Sequence, residues 1–228
     1  MQLSNIIFLL TFVIAISFFV KNLNKIISNI KLGKDINRSD NKDIRLKNML
    51  RIALGQSKMF DRPIAAFLHL LIYVGFVIIN IEVIEIIIDG IFGTHRFLAH
   101  VISPNLYSFL IATFEILAFL VLFSCLIFLI RRNILKIKRF FGKEMTKWPK
   151  TDANLILIFE VFLMSAFFLM NAADQVLQSK DVSHYLLAGS FPISSLFLGL
   201  IDGFSVETLI LIERASWWFH ILGILAFL

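Results

Sequence analysis

Two histidines stand inside otherwise apolar stretches: His69, in Phe67-Leu68-His69-Leu70-Leu71, and His220, in Trp217-Trp218-Phe219-His220-Ile221-Leu222-Gly223. An imidazole at bilayer depth is costly and calls for a partner, and its ring nitrogen is a common axial ligand of a b-type haem. His69 follows Arg62 by seven residues and His220 follows Arg214 by six, depths of about 10 Å and about 9 Å along a helix. Measured from opposite faces, these depths favour two haems stacked across the bilayer over one shared between the histidines. Gly223, one turn past His220, would let a porphyrin approach its helix. Arg62 lies close to the face of His69, where a propionate would seek a cation. A lone intramembrane histidine also serves as a plain inter-helix hydrogen-bonding group, and Arg62 as a topology charge. Both readings stay open here.

Four carboxyls fall in apolar stretches as well: Glu82, Glu85, Glu115 and Glu160. A charged group at that depth costs at least about 2.5 kcal/mol, so each is either a neutral hydrogen-bonding acid or an acceptor for protons released by quinol oxidation. His95, His100 and His184 lie in the segments between the apolar stretches, within reach of a haem near that face. His100 leads them through its apolar setting, Phe97-Leu98-Ala99-His100-Val101-Ile102. The lone Cys125 excludes a four-cysteine iron–sulfur cluster or a cysteine zinc site within this chain. No Gly-rich phosphate loop and no GxSxG elbow occurs, which removes nucleotide-hydrolase and serine-hydrolase readings.

The elements that must position these groups follow from the composition. The chain has 228 residues, 58% hydrophobic and 17% charged, with mean hydropathy +0.84, which implies an all-α polytopic membrane helix bundle. Five spans are expected, at about 6–20, 63–88, 106–130, 153–177 and 215–228, in one membrane domain covering 1–228. The first lacks the basic flank and small-residue cleavage site of a signal peptide and is read as a retained helix. Thr151 or Asp152, after Pro149, is the expected N-cap of the fourth. The fifth has fourteen residues to the end at Leu228. That is about 21 Å of helix against a hydrocarbon core of about 30 Å, so the helix is expected to continue and the chain to be a fragment.

Net charge +6 and pI 9.6 would suit a nucleic-acid binder, but the distribution does not. Eleven of the 22 Lys and Arg lie between Lys21 and Arg62 and eight between Arg131 and Lys150. Basic residues confined to alternate loops follow the positive-inside rule and need no nucleic acid. Segments 21–61 and 131–150 are therefore expected in the cytoplasm and the N-terminus outside, in an inner, cytoplasmic membrane. The stretch 178–213 is then external, with Phe191–Ile201 as an interfacial helix or a cap over the bundle.

With its N-terminus outside, Phe67-Leu68-His69 opening the second span and the Trp217–Gly223 motif on the fifth, the chain resembles respiratory cytochrome b subunits. It is most similar to the nitrate-reductase gamma-subunit-like membrane domain that precedes the iron–sulfur part of heterodisulfide-reductase-type oxidoreductases. Gly55-Gln56-Ser57-Lys58-Met59-Phe60 and Asp89-Gly90-Ile91-Phe92-Gly93-Thr94-His95-Arg96 share that likeness, which covers essentially the whole chain. The resemblance implies a haem b module, with one or two haems, exchanging electrons between the membrane quinone pool and a cytoplasmic iron–sulfur domain or subunit. It also implies the membrane part of an oxidoreductase, not catalytic by itself. His69 matches the ligand of the inner haem and His220 that of the outer one. The family's second histidine on the second span falls at Ile79, and its last on the fifth span would fall beyond Leu228, so an outer haem would turn to His100 or His95. A proton-coupled transporter or channel, and a haem-free anchor for a soluble partner, are the alternatives.

Overall fold

The computed structural model describes residues 3–34, 36, 39–135, 137, 140, 142 and 147–227. Among them are the helices Leu3–Lys31 (α1), Lys42–Met49 (α2), Pro63–Phe92 (α3), Phe97–Val101 (α4), Pro104–Asn133 (α5), Trp148–Ser179 (α6), Leu198–Ile201 (α7) and Val206–Ala226 (α8), and no strand. Leu50–Leu54 is π-helical, and 3₁₀ turns occupy Ser57–Asp61 and Ser194–Phe197. Helices α1, α3, α5, α6 and α8 are long and apolar enough to cross a membrane. The protein is an all-α, multi-pass membrane protein. Much of the expected basic segment 131–150, from Lys136 onward, lies outside the described residues, as do Asp35, Asn37, Arg38 and Leu228.

Helix ends explain where these spans depart from expectation. Proline stands in the first turn of α3, α5 and α6, where its missing N–H is no loss. Pro149 is thus inside α6 rather than before it, and Thr151 is no N-cap: its hydroxyl donates back to the Lys147 carbonyl at 3.3 Å. Helix α1 runs to Lys31, past the expected end at Val20, because neither proline nor glycine interrupts it before Gly33. Lysine side chains on that extension can reach the headgroups while their stems stay in apolar surroundings.

Helix α8 differs most, starting at Val206 rather than near 215. Ser205 caps it, its Oγ accepting from the Thr208 N–H at 3.3 Å, with Glu207 in the first turn. Glu213 and Arg214, which resembled a loop boundary, are adjacent helical residues that pair with each other, Arg214 Nη2 donating to Glu213 Oε1 at 2.7 Å. The helix has 21 residues, about 31 Å, so the shortness expected of this span is absent.

Helices α6 and α8, α3 and α5, and α5 and α6 form the main packed pairs, with α1 lying on α3. Ile111, Phe114 and Ala118 of α5, Phe167 of α6 and Ile221 of α8 make a closed core. Small residues admit the closest approaches, as in membrane bundles generally. A Cβ at Gly75 would meet Val121 of α5 at 2.5 Å, and one at Gly90 would meet the Phe8 ring at 2.7 Å. On α1 only Asn5 and Phe8 are buried; Asn5 Nδ2 donates to the Gly90 carbonyl at 2.9 Å.

The bundle has a basic end, where α1 finishes and α3 begins, and a loop end, where α3, α6 and α1 meet the 93–103 and 180–205 connections. At the loop end Phe191 and Ser194 are buried, and Glu115 of α5 fastens that segment. Its carboxylate accepts from the backbone N–H of Ile193 at 2.8 Å and of Ser194 at 3.1 Å, and from the Ser194 hydroxyl.

Candidate functional site at the loop end

The last turn of α3 starts the site. Asp89 accepts from the backbone N–H groups of Arg96 at 2.9 Å and Phe97 at 3.1 Å, and from the Thr94 hydroxyl, so it folds the 93–97 turn and caps α4. Gly93, at φ 73, supplies the left-handed step that ends α3. Arg96 takes the same region without glycine, at φ 53, and its side chain turns back into the bundle.

There Arg96 is the hub of a buried polar layer. Nε donates to Asp174 Oδ2 at 2.6 Å, Nη2 to Asn171 Oδ1 at 3.0 Å and Nη1 to the Tyr107 hydroxyl at 3.2 Å, while Phe191 covers the guanidinium at 4.9 Å. Burial works against its charge, but the Asp174 carboxylate outweighs that and holds the pKa well above the ordinary arginine value. Asn171 passes a hydrogen bond on to Glu115 at 3.2 Å, and Glu85 accepts from the Leu98 N–H at 2.8 Å. On the α8 side the Tyr185 hydroxyl donates to Glu213 at 3.1 Å. Burial first, and Glu213 next, push the Tyr185 phenol upward.

Beside this layer opens a cavity of about 300 Å³. Phe8, Trp217 and Trp218 form an aromatic wall, and Glu82, Glu85, Asp89, Asp174 and Glu213 line it together with His95, Arg96, His184 and Arg214. Three buried polar atoms of lining residues have no hydrogen-bond partner: Glu82 Oε2, His95 Nδ1 and Asp174 Oδ1. Buried polar atoms are paired in the great majority of cases, so three orphans on one cavity wall call for an explanation.

Of the expected site residues, the structure gathers Glu82 and Glu85 here, with His95 and His184. Glu115 is next door but spent: its oxygens already hold Asn171 and the Ile193–Ser194 segment, so it has no capacity left for a substrate. Glu160 is half-buried fourteen residues before Asp174 on α6, about 21 Å along the helix, and not part of this layer. Asp174, Asn171, Tyr107, Tyr185 and Glu213 were not singled out in the sequence. Asn171-Ala172-Ala173-Asp174 in an apolar helix was the available signal.

The histidines singled out as haem ligands are separated. His220 is buried between α6 and α8, Nδ1 lying 3.3 Å from the Leu163 carbonyl and the ring beside Phe167. The space over Gly223 is filled, since a Cβ there would meet Leu163 at 2.7 Å and Phe159 at 2.8 Å. Gly223 thus serves helix packing, and the residues around His220 do not fit a haem in this arrangement. His100 is exposed on α4, and among the described residues no bond or ring contact joins it to His220. At the basic end His69 is exposed on α3, over a second hollow of about 430 Å³ with Lys58, Arg62, Ala65, Ala66 and Phe128. Met59 and Asp61 line it too; an exposed imidazole, two cations against one acid and two small side chains fit a haem edge. Among the described residues no cluster of three or more His, Cys, Asp or Glu could hold a bare metal ion.

Comparison with known proteins places this geometry in context. The chain is 26% identical over 227 residues to the probable iron-sulfur-binding oxidoreductase FadF of Bacillus subtilis (strain 168), covering 98% of this chain and 29% of that protein. It is 23% identical over 194 residues to the EtfAB:quinone oxidoreductase of Syntrophomonas wolfei subsp. wolfei, covering 82% of this chain and 25% of that protein. The chain is thus similar to part of two proteins named as oxidoreductases. The chain therefore spans between a quarter and a third of the length of these relatives. No family model and no solved structure matches it.

Proposed function

We propose that this chain is the membrane electron-transfer part of a quinone-linked oxidoreductase, passing electrons between the membrane quinone pool and a cytoplasmic iron–sulfur domain or subunit. The loop-end cavity carries the reading: an aromatic wall from Phe8, Trp217 and Trp218 faces buried carboxyls and a histidine. A quinone ring needs that combination, flat apolar contacts for the ring and polar groups for its two oxygens. The names of the two relatives, one iron-sulfur-binding and one quinone-linked, support the same pairing.

One haem b would be held at the basic end by His69, through its imidazole, and by Arg62 and Lys58, through its propionates. Bound there, it would supply one-electron transfer at a potential set largely by its axial ligands. With the basic segments in the cytoplasm, His69 lies on the side of the iron–sulfur partner and the cavity on the outer side of the inner membrane. Lipid covers the exposed apolar faces.

Quinone binding tests the reading directly. Two of the three tryptophans line the cavity, so menadione should quench the intrinsic fluorescence saturably, and Trp217→Phe with Trp218→Phe should remove that quenching. Absence of saturable quenching, or its persistence in the double variant, contradicts the proposal.

A further inference from the structure

The sequence places His95 in a loop within reach of a haem, and the structure gives it different company. Its side chain is only 8% exposed although it follows the left-handed turn at the bundle's end. Nε2 lies 3.2 Å from Asp174 Oδ1, a charge contact with an oxygen that accepts no hydrogen bond, while Nδ1 is buried with no partner and the ring lines the cavity. Asp174 is itself fixed, because Arg96 Nε holds its other oxygen at 2.6 Å. A carboxylate beside Nε2 favours the tautomer with the proton on Nε2, which leaves the Nδ1 lone pair as an acceptor. Orienting carboxylate, imidazole and an unused basic nitrogen on a cavity wall are the parts of a general base.

We propose that His95, oriented by Asp174, is the base that takes a hydroxyl proton from a quinol in the loop-end cavity. The assignment rests on the quinone reading of that cavity. Oxidation of one quinol breaks two O–H bonds and releases two electrons. One proton forms an N–H bond at His95 Nδ1, and the second goes to Glu82 Oε2, another unpartnered atom on the wall. The electrons pass singly to the haem or iron–sulfur centre of the oxidoreductase. Quinone reduction runs the same transfers backward. The ionisable groups that line the cavity with His95 are Asp174 from α6, Glu82, Glu85 and Asp89 from α3, Arg96, His184 and Tyr185 from the connections, and Glu213 and Arg214 from α8. Exposed His184, its ring centroid 5.5 Å from that of His95, is placed to carry the proton outward.

The experiment uses the complete oxidoreductase with menadiol as donor. His95→Gln keeps a polar side chain towards Asp174 and should lower kcat by about 10²-fold or more with KM within about threefold. His95→Ala should show the same loss, and added imidazole should restore at least about tenfold, which a merely structural histidine would not allow. Asp174→Asn should lower kcat in the same direction by favouring the wrong tautomer. A His95→Gln kcat within about threefold of wild type, or a His95→Ala loss that imidazole leaves unrestored, overturns the assignment while the quinone reading stands. A wild-type protein that neither binds nor oxidises menadiol overturns both.

Discussion

Arg96 and Asp174 are 78 residues apart in sequence and joined by a buried hydrogen bond of 2.6 Å from Nε to Oδ2. The bond ties the turn after α3 to the last third of α6, across the end of α5, whose Tyr107 hydroxyl accepts from the same guanidinium. Removing one partner of a buried ion pair leaves an uncompensated charge and costs about 3–5 kcal/mol. Arg96→Ala should therefore lower the unfolding temperature in detergent sharply, more than Arg214→Ala, whose side chain is 39% exposed. Equal effects of the two substitutions would show that the polar layer does not hold this end together.

Close packing of α3 on α5 depends on Gly75. A Cβ there would overlap Val121 Cγ2 at 2.5 Å, so Gly75→Ala should cost about 1–3 kcal/mol through overpacking. Val121→Ala in the same chain should recover part of that loss, because the clashing methyl is gone. A double variant no more stable than Gly75→Ala, by thermal unfolding, would contradict the contact.

His184 predicts a pH effect. Partial burial, then the neighbouring His95 and Arg214, lower its pKa below the ordinary imidazole value. As pH falls, the unfolded chain binds this proton before the folded one does, so stability drops from about pH 6.5 downward and is unaffected above it. The loss should be modest, because the side chain is solvent-screened. Thermal unfolding of His184→Gln should show a flatter acid limb than wild type. An identical limb would assign the pH dependence to other groups.

The sequence told the spans apart from the connections because a bilayer demands long apolar helices. It was less informative about helix ends. Glu213 and Arg214 resembled a loop boundary until their mutual pairing, and Tyr185 from a distant connection, made them tolerable inside α8. The site was half legible. Glu82 and Glu85 stand out as costly groups, but the partners that use or neutralise such groups come from other elements. Glu115 illustrates this, since what consumes it is the backbone of Ile193 and Ser194, 78 and 79 residues away. Likewise nothing in the spacing of His220 and Gly223 reveals that Leu163 and Phe159 occupy the intervening space.

The most direct test of the central claim is a visible spectrum of the anaerobic complete oxidoreductase before and after addition of menadiol. The proposal predicts that menadiol brings up a reduced b-type α band in wild type and in His220→Ala, and that His69→Ala lacks it. A wild-type protein without that band even after dithionite, or a band that survives in His69→Ala, would contradict electron transfer through a haem at His69.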